Sequence, residues 1–358
     1  MHIVFAAGGT AGHVEPALNT ADALVKIRPE TSVSFVGGNR GLEGDLVSAR
    51  GYPLVQVSSQ PFPRGISWEA LSFPAHTLSA VRDARRHLAD VQADVVVGFG
   101  GYAAVPGYLA AWRSGIPLII HEANSRPGFA NRLGARLTPH VASVHPGVLR
   151  HSRQLGLPLR PAIAHMDRSA LRSVARQEWG LSKSAPVLLF FGGSQGARHL
   201  NEVLAAALEQ LLDLGVEIIH AVGRNNELPS SRPGYHPTSY IDRMDVAYAA
   251  ADLVVCRAGA MTCAELTAVG LPGIYVPLPV GNGEQVGNSL PIVDAGGGVQ
   301  CLDSSFTTEW LTKTVRSLVQ DEGVIADMSV VAASLGERDA DQELAQWIFE
   351  VAQRSRRE

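Results

Sequence analysis

The chain has little cysteine, little lysine and no long unbroken apolar run. Its three cysteines, Cys256, Cys263 and Cys301, show no CxxC spacing. That excludes a disulfide framework and a cysteine-based zinc site, and it fits a reducing compartment. Lysine occurs only as Lys26, Lys183 and Lys313, so positive charge is carried almost wholly by arginine, whose planar fork suits phosphate and carboxylate. Neither sign of charge is in excess: 30 basic against 34 acidic side chains give a net charge of −4. This excludes a bulk nucleic-acid binder, because no global positive field exists to hold a polyanion. Residues 95–112 are uncharged over a membrane-spanning length, but Gly98, Gly100, Gly101, Pro106 and Gly107 break them into strand, loop and helix. The apolar run at 3–7 is too short for a signal peptide and follows no basic region. A soluble or peripheral protein is expected.

What is present is core material and tight turns. Hydrophobic residues make up 46% of 358 positions, with 36 Gly and 21 Pro, and this length predicts two domains. Short β-rich runs alternate with helical periods, the pattern of parallel sheets covered by helices. Strands are expected over 3–7, 33–36, 54–57, 95–97, 118–121 and 140–142, and again over 187–191, 217–221, 253–256 and 273–276. Helices are expected near 201–214, 262–269 and 285–295. The two halves open alike, with Gly8-Gly9-Thr10-Ala11-Gly12 and Gly192-Gly193-Ser194-Gln195-Gly196 each following a strand and preceding a helix. Tandem Rossmann-like domains follow, spanning 1–160 and 161–337, with a terminal helix over 338–358 joining the first.

Glycine at a strand-to-helix turn lets backbone N–H groups and the helix end approach an anion, so both loops suit phosphate, as does a third, Gly98-Phe99-Gly100-Gly101-Tyr102. A nicotinamide fingerprint is excluded: Ala7 and Phe191 stand at its first glycine, and Gly37-Gly38-Asn39 stands where the second strand would end in an acid. Gly192 to Gly196 also matches the GxSxG nucleophile elbow, but no histidine follows His236, so a Ser–acid–His order has no base to complete it. Ser194 is better read as a phosphate-binding hydroxyl. His121-Glu122-Ala123-Asn124-Ser125 starts like HExxH but lacks the second histidine. Asp339-Ala340-Asp341 fits a helix first turn better than a metal–diphosphate site.

Six motifs then fall in one order: Gly8 to His13, Gly100-Gly101-Tyr102, His121-Glu122-Ala123-Asn124, Gly192 to Ala197, Cys256-Arg257-Ala258-Gly259-Ala260 with Glu265, and Gln285 with Asn288. Together they resemble the MurG family of bacterial N-acetylglucosaminyltransferases. The resemblance implies a GT-B fold, α/β, with two Rossmann-like doubly wound domains whose parallel sheets face a central cleft. It implies UDP-N-acetylglucosamine as donor and undecaprenyl-diphospho-muramoyl-pentapeptide as acceptor, with inversion at the anomeric centre, no metal and no cofactor. By the same resemblance, His13 is the first candidate for the base, with contact to acceptor diphosphate as its alternative; Glu122, at the end of a strand in the same half, is the second. Donor contacts fall on Thr10, Ala11, Gly12, Asn124, Arg160, Ser194, Ile241, the helix start Ala260, Met261, Thr262, Cys263 and Ala264, then Glu265 on ribose, and Gln285. Tyr102, Asn131, Asn201 and Arg257 match positions important for activity without a fixed role. Ala11 stands where the family has glycine, and Ala123 where it has glutamine.

A polyprenyl acceptor implies work at the cytoplasmic face of the cell membrane, and the resemblance leaves room for partners among cell-wall synthesis proteins. Trp68, Leu71, Phe73, Leu78 and Val81, followed by Arg82, Arg85 and Arg86, form an apolar and basic stretch. It suits either anionic lipid or a buried face with a solvated basic end. Two alternatives stay open: a GT-B transferase with another lipid acceptor, and a non-catalytic nucleotide-sugar-binding protein.

Overall fold

In the computed structural model, residues 1–39, 41–58 and 68–356 are described, 68–73 and 322 by backbone alone. The apolar runs form two parallel sheets. The first holds β1 (His2–Ala7), β2 (Ser32–Gly38), β3 (Leu54–Val57), β4 (Val95–Gly100), β5 (Leu118–Glu122), β6 (His140–Ser143) and β7 (Arg153–Gln154). Their spatial order is β3-β2-β1-β4-β5-β6-β7. The second holds β8 (Val187–Phe191), β9 (Glu217–Ala221), β10 (Tyr235–Thr238), β11 (Leu253–Cys256), β12 (Gly273–Tyr275) and β13 (Gly298–Gln300), ordered β10-β9-β8-β11-β12-β13. In each sheet the chain reverses its direction of travel beside the first strand, between β1 and β4 and between β8 and β11. Such switch points open a crevice at the carboxyl ends of the strands.

Strands β7, β10 and β13 were absent from the sequence expectation. Two are edge strands carrying only two or three residues, and β10 contains Pro237, which an edge tolerates because it need not donate on both sides. Strand β4 runs three residues beyond the expected 97. Its register against β1 steps from Ala6↔Gly98 to Ala7↔Gly100, a bulge that skips Phe99 and re-aims the strand end.

The chain divides into two units, Met1–Leu159 with Arg338–Glu358, and Arg160–Glu337. In the first, Phe5 pairs with Phe35 across β1 and β2, their rings stacked at 5.1 Å. The terminal helix Ala340–Ser355 belongs to this core: Leu344, Ala345, Ile348 and Phe349 pack with Ile3, Phe5 and Leu18. Arg356 bonds Asp94 at 2.7 and 2.9 Å, and the Arg28 guanidinium lies 4.2 Å over the Phe349 ring. All three cysteines are buried free thiols.

In the second unit the helix Arg168–Glu178 is fastened to the sheet through Arg176, a guanidinium 1% exposed. It donates to the carbonyls of Ala250, Ser182, Lys183 and Ala185 and to Asp252 at 2.6 Å. Asp252 also accepts from the Val187 N–H at 2.8 Å, which ties the clamp to the first residue of β8. Removing the guanidinium leaves four carbonyls without this donor and strips Asp252 of one of its two arginines. Arg176→Met should therefore destabilise this unit by about 3–5 kcal/mol. A thermal or urea midpoint equal to that of the parent chain would show that the clamp is dispensable.

Candidate active site

In the first unit the expected residues gather at the carboxyl ends of β1, β4 and β5. Helix Ala11–Ile27 starts at the switch point, and its N-cap, Thr10, makes no side-chain cap bond. The Thr10 hydroxyl instead meets His13 Nδ1 at 3.0 Å. The ring of His13 packs against Gly100, where an added Cβ would stand 3.2 Å from Cδ2. Burial holds the imidazole below its ordinary pKa of 6.5, partly offset by the Glu43 carboxylate, so the ring is neutral at pH 7. With the proton on Nδ1 toward Thr10, Nε2 carries the lone pair, and it has no hydrogen bond among the described residues.

The glycines after β4 do different work from the expected anion loop. Gly98 and Gly100 lie within the strand. Gly101, at φ +80°, passes so close to the first loop that a Cβ would stand 2.0 Å from the Gly8 carbonyl oxygen. Only glycine permits that approach, so this third loop is explained by packing of one loop on another.

Glu122, at the end of β5, is 2% exposed. Its Oε1 accepts the Asn124 N–H at 2.9 Å and the Asn124 side-chain amide at 3.3 Å. Its Oε2 accepts Gly128 N–H at 3.2 Å and Asn131 Nδ2 at 3.0 Å. Burial pushes its pKa up while these four donors pull it down. The same Asn131 amide reaches the His121 carbonyl, and its Oδ1 accepts from the Tyr108 hydroxyl at 2.9 Å, which in turn accepts Gly100 N–H at 2.8 Å. Asn131 thus links the loop after β4 to the loop after β5. The neighbouring His121 is pushed down to about 4 by burial and bonds the Gly156 carbonyl at 3.0 Å. Tyr102 is half-buried over Gly9, where a Cβ would meet its ring at 3.8 Å.

In the second unit the expected residues collect at the ends of β8, β11 and β12. Ser194 is exposed in its loop. No histidine bonds its hydroxyl among the described residues, so the nucleophile-elbow reading lacks a base here as it does in the sequence. The loop is braced from beside: Asn225 and Asn226 donate to Gln195 at 2.9 and 3.0 Å. Asn201 donates to the Val222 carbonyl at 2.9 Å and meets His220 at 3.2 Å, so it holds the loop after β9. Arg257 bonds the carbonyls of Val276 and Pro277 and pairs with Asp303.

Helix Ala260–Ala268 begins after Gly259, which supplies no side-chain cap. Ala260, Met261, Thr262 and Ala264 are half-buried, leaving the first-turn amides without a side-chain acceptor of their own. Cys263 faces inward, its thiol pushed up to about 12 by burial, so it is no nucleophile. Glu265 is 6% exposed; Tyr248 donates to its Oε2 at 2.8 Å, and Arg160 Nη2 lies 3.6 Å from Oε1. Gln285 Oε1 accepts the Leu278 N–H at 3.0 Å. Ile241 buries its side chain in the core while its backbone N–H and C=O have no partner among the described residues.

Residues 3–143 match the glycosyltransferase family 28 N-terminal domain, and 187–344 its C-terminal domain. The chain is 48% identical to a curated UDP-N-acetylglucosamine--N-acetylmuramyl-(pentapeptide) pyrophosphoryl-undecaprenol N-acetylglucosamine transferase of Thermobifida fusca, over 99% of this chain and 96% of that one. The chain belongs to the MurG family. A protein of the same name from Streptomyces coelicolor is 49% identical over the full length of both chains. The crystal structure of Acinetobacter baumannii MurG superposes with TM-score 0.81 at 29% identity, covering 98% of this chain and 99% of that one. Two parallel-sheet α/β units in a glycosyltransferase of this family constitute the GT-B fold.

Within this MurG-family chain, sequence reasoning passed over Tyr108, Tyr248 and Glu43. Each tyrosine lies in an alanine-rich helix and reads as core; the missed signal is the single polar tip on an otherwise apolar face. Tyr108→Phe leaves Gly100 N–H and Asn131 Oδ1 buried without a partner, at a cost of about 1–3 kcal/mol. A stability unchanged within a few tenths of a kcal/mol would mean that this link carries no strain-free hydrogen bond.

Proposed function

We propose that this enzyme, a hexosyltransferase of the MurG family, transfers N-acetylglucosamine from UDP-N-acetylglucosamine to the muramoyl 4-hydroxyl of undecaprenyl-diphospho-muramoyl-pentapeptide. In peptidoglycan synthesis this is the step from lipid I to lipid II. The reading includes inversion of the anomeric centre and no requirement for a metal ion. The 4-hydroxyl attacks the anomeric carbon, its proton passes to His13, and the bond to the UDP oxygen breaks. The observation that carries this assignment is the His13 ring tethered at Nδ1 by the Thr10 hydroxyl, with no hydrogen bond on Nε2 among the described residues. Glu122 is the weaker base, because all of its hydrogen bonds already hold Asn124, Gly128 and Asn131.

The leaving diphosphate gains charge that the Ser194 hydroxyl and the open amides at Ala260, Met261 and Thr262 would receive, aided by the helix dipole. The free backbone edge of Ile241 suits the uracil ring, and Glu265, oriented by Tyr248, suits the ribose hydroxyls with Arg160 nearby. Gln285 and Asn124 are assigned to the sugar, and Thr10, Ala11 and Gly12 to the acceptor-side edge of the donor. Asn131, Asn201 and Arg257 serve by holding loops, and Tyr102 by covering Gly9.

Work on a lipid-linked acceptor calls for contact with the cytoplasmic membrane face. Among the described residues no helix is long and apolar enough to cross a membrane. The contact surface in this reading is the helix Trp68–Asp90 with Val105–Ser114, where a groove of about 680 Å3 is lined by Leu78, Val81, Arg82, Arg85, Leu109 and Arg113. Leu78 is 61% exposed, and Trp112 beside this groove 54%. The side chains of Trp68, Leu71 and Phe73 lie outside the described residues. Apolar side chains rimmed by arginine suit an anionic lipid surface.

Purified protein should transfer labelled N-acetylglucosamine to the muramoyl lipid with chelator present; absence of labelled lipid product would sink the reading. His13→Ala should lower kcat by ~10²–10⁴ with little change in donor KM. Because a depressed pKa keeps the base neutral to lower pH, the acid limb of kcat/KM should fall below pH 6.5. Glu265→Ala should raise donor KM strongly, and equal donor kinetics would misplace the ribose. Leu78→Glu combined with Arg82→Glu should reduce binding to anionic vesicles while sparing turnover of a short-chain soluble acceptor; unchanged vesicle binding would move the contact elsewhere.

A further inference from the structure

Two sequence features are left without a task by this reading: the glycine pair at the end of β2, where a dinucleotide-binding fold carries its acid, and the amide of Gly9. One side chain accounts for both. Glu43 opens the helix Glu43–Ala49 and is 1% exposed. Its Oε1 accepts the Gly38 N–H at 2.7 Å, and its Oε2 accepts the Gly9 N–H at 3.1 Å. The side chain lies so close to Gly8, Gly37 and Gly41 that a Cβ on each would come within 2.6, 2.9 and 2.0 Å of it. The acid missing from the end of β2 is thus supplied five residues later, and it turns onto the protein's own loop. A carboxylate there fills the anion position that the Gly9 amide would otherwise offer.

We infer that Glu43 is a positioning residue for the transfer: it clamps the first glycine loop to the end of β2 and stabilises the imidazolium that His13 becomes on taking the acceptor proton. The inference rests on His13 as the base. No hydrogen bond joins the two side chains, so the second effect acts through space, from a carboxylate bonded to Gly9 on the same loop whose Thr10 hydroxyl holds the His13 ring. The other groups around His13 leave that task to Glu43 among the described residues. Tyr102 covers Gly9, Glu15 on the same helix is paired with Arg50 at 3.2 Å, and Glu122 is engaged by Asn131 and its neighbours. Burial of His13 disfavours its charged form, and Glu43 opposes that.

The test compares the full chain with Glu43→Gln, which keeps the shape and one acceptor, and Glu43→Asp, which keeps the charge and shortens the reach. In histidine-labelled protein followed by NMR, Glu43→Gln should move the His13 titration to lower pH, with Glu43→Asp closer to the parent. The acid limb of kcat/KM for the acceptor should move the same way. Glu43→Gln should lower kcat roughly 10-fold, less than the ~10²–10⁴ expected for loss of the base itself. A purely structural role would lower the unfolding midpoint without moving the titration. An identical His13 titration in Glu43→Gln overturns the inference. A titration that moves while the acid limb stays in place upholds the action of Glu43 on His13 and removes His13 as the base.

Discussion

A carboxylate withdrawn from water must find donors, and the loops of the first unit are arranged around two that do. Glu122 draws in the amide of Asn124, the amide of Gly128 and the side chains of Asn124 and Asn131. Glu43 draws in Gly9 and Gly38. Leaving either acid without these bonds would cost several kcal/mol, so the segments that supply the donors cannot wander. The loop after β1, the loop after β5 and the end of β2 are each pinned by an acid, and the Tyr108–Asn131 link ties the end of β4 to the same set. His13 is held where these pinned loops meet, the fixed geometry that its proposed proton transfer requires.

The second unit uses the opposite arrangement at the equivalent places. Among the described residues none of its carboxylates bonds the glycine loop after β8: Asp252 anchors Arg172 and Arg176 at the base of the sheet, Asp303 anchors Arg257 and His199, and Glu265 takes the Tyr248 hydroxyl. Side-chain amides rather than acids brace its glycine loop, with Asn225 and Asn226 on Gln195 and Asn201 on Val222. Neutral braces hold the loop without adding negative charge, so the amides at the start of Ala260–Ala268 keep their electropositive field for a ligand.

The parallel-sheet architecture was legible because fully buried strands such as β4, β8 and β11 are continuous apolar runs bounded by turn residues. The edges were not, since Arg153–Gln154 has only two residues, both exposed, and Tyr235–Thr238 buries only its first residue fully and carries Pro237. Candidate site residues were legible where a motif names them in order, as at His13, Glu122, Ser194 and Glu265, and the structure places each at a strand end or in the loop or helix that follows one. Glu43 was not, because its partners are backbone amides: a donor that every residue carries leaves no trace in the sequence. Its indirect trace was there in Gly8, Gly37 and Gly41, which read as turn residues until the side chain that crowds them is in view.

This bears on what a repeated motif can tell. Gly8-Gly9-Thr10 and Gly192-Gly193-Ser194 both follow a parallel strand and precede a helix, and the same backbone logic makes each an anion loop in outline. What distinguishes them is charge supplied from outside the motif. In one, a glutamate from the next helix bonds the loop amide and, in the role inferred for it, favours protonation of a histidine; in the other, asparagines brace the loop without adding charge. A base must be stabilised as it becomes a cation, and a departing diphosphate as it becomes more negative, so one fold used twice needs opposite local fields. The tandem pattern accounts for the backbone of this enzyme, and the residues that break the symmetry account for its chemistry.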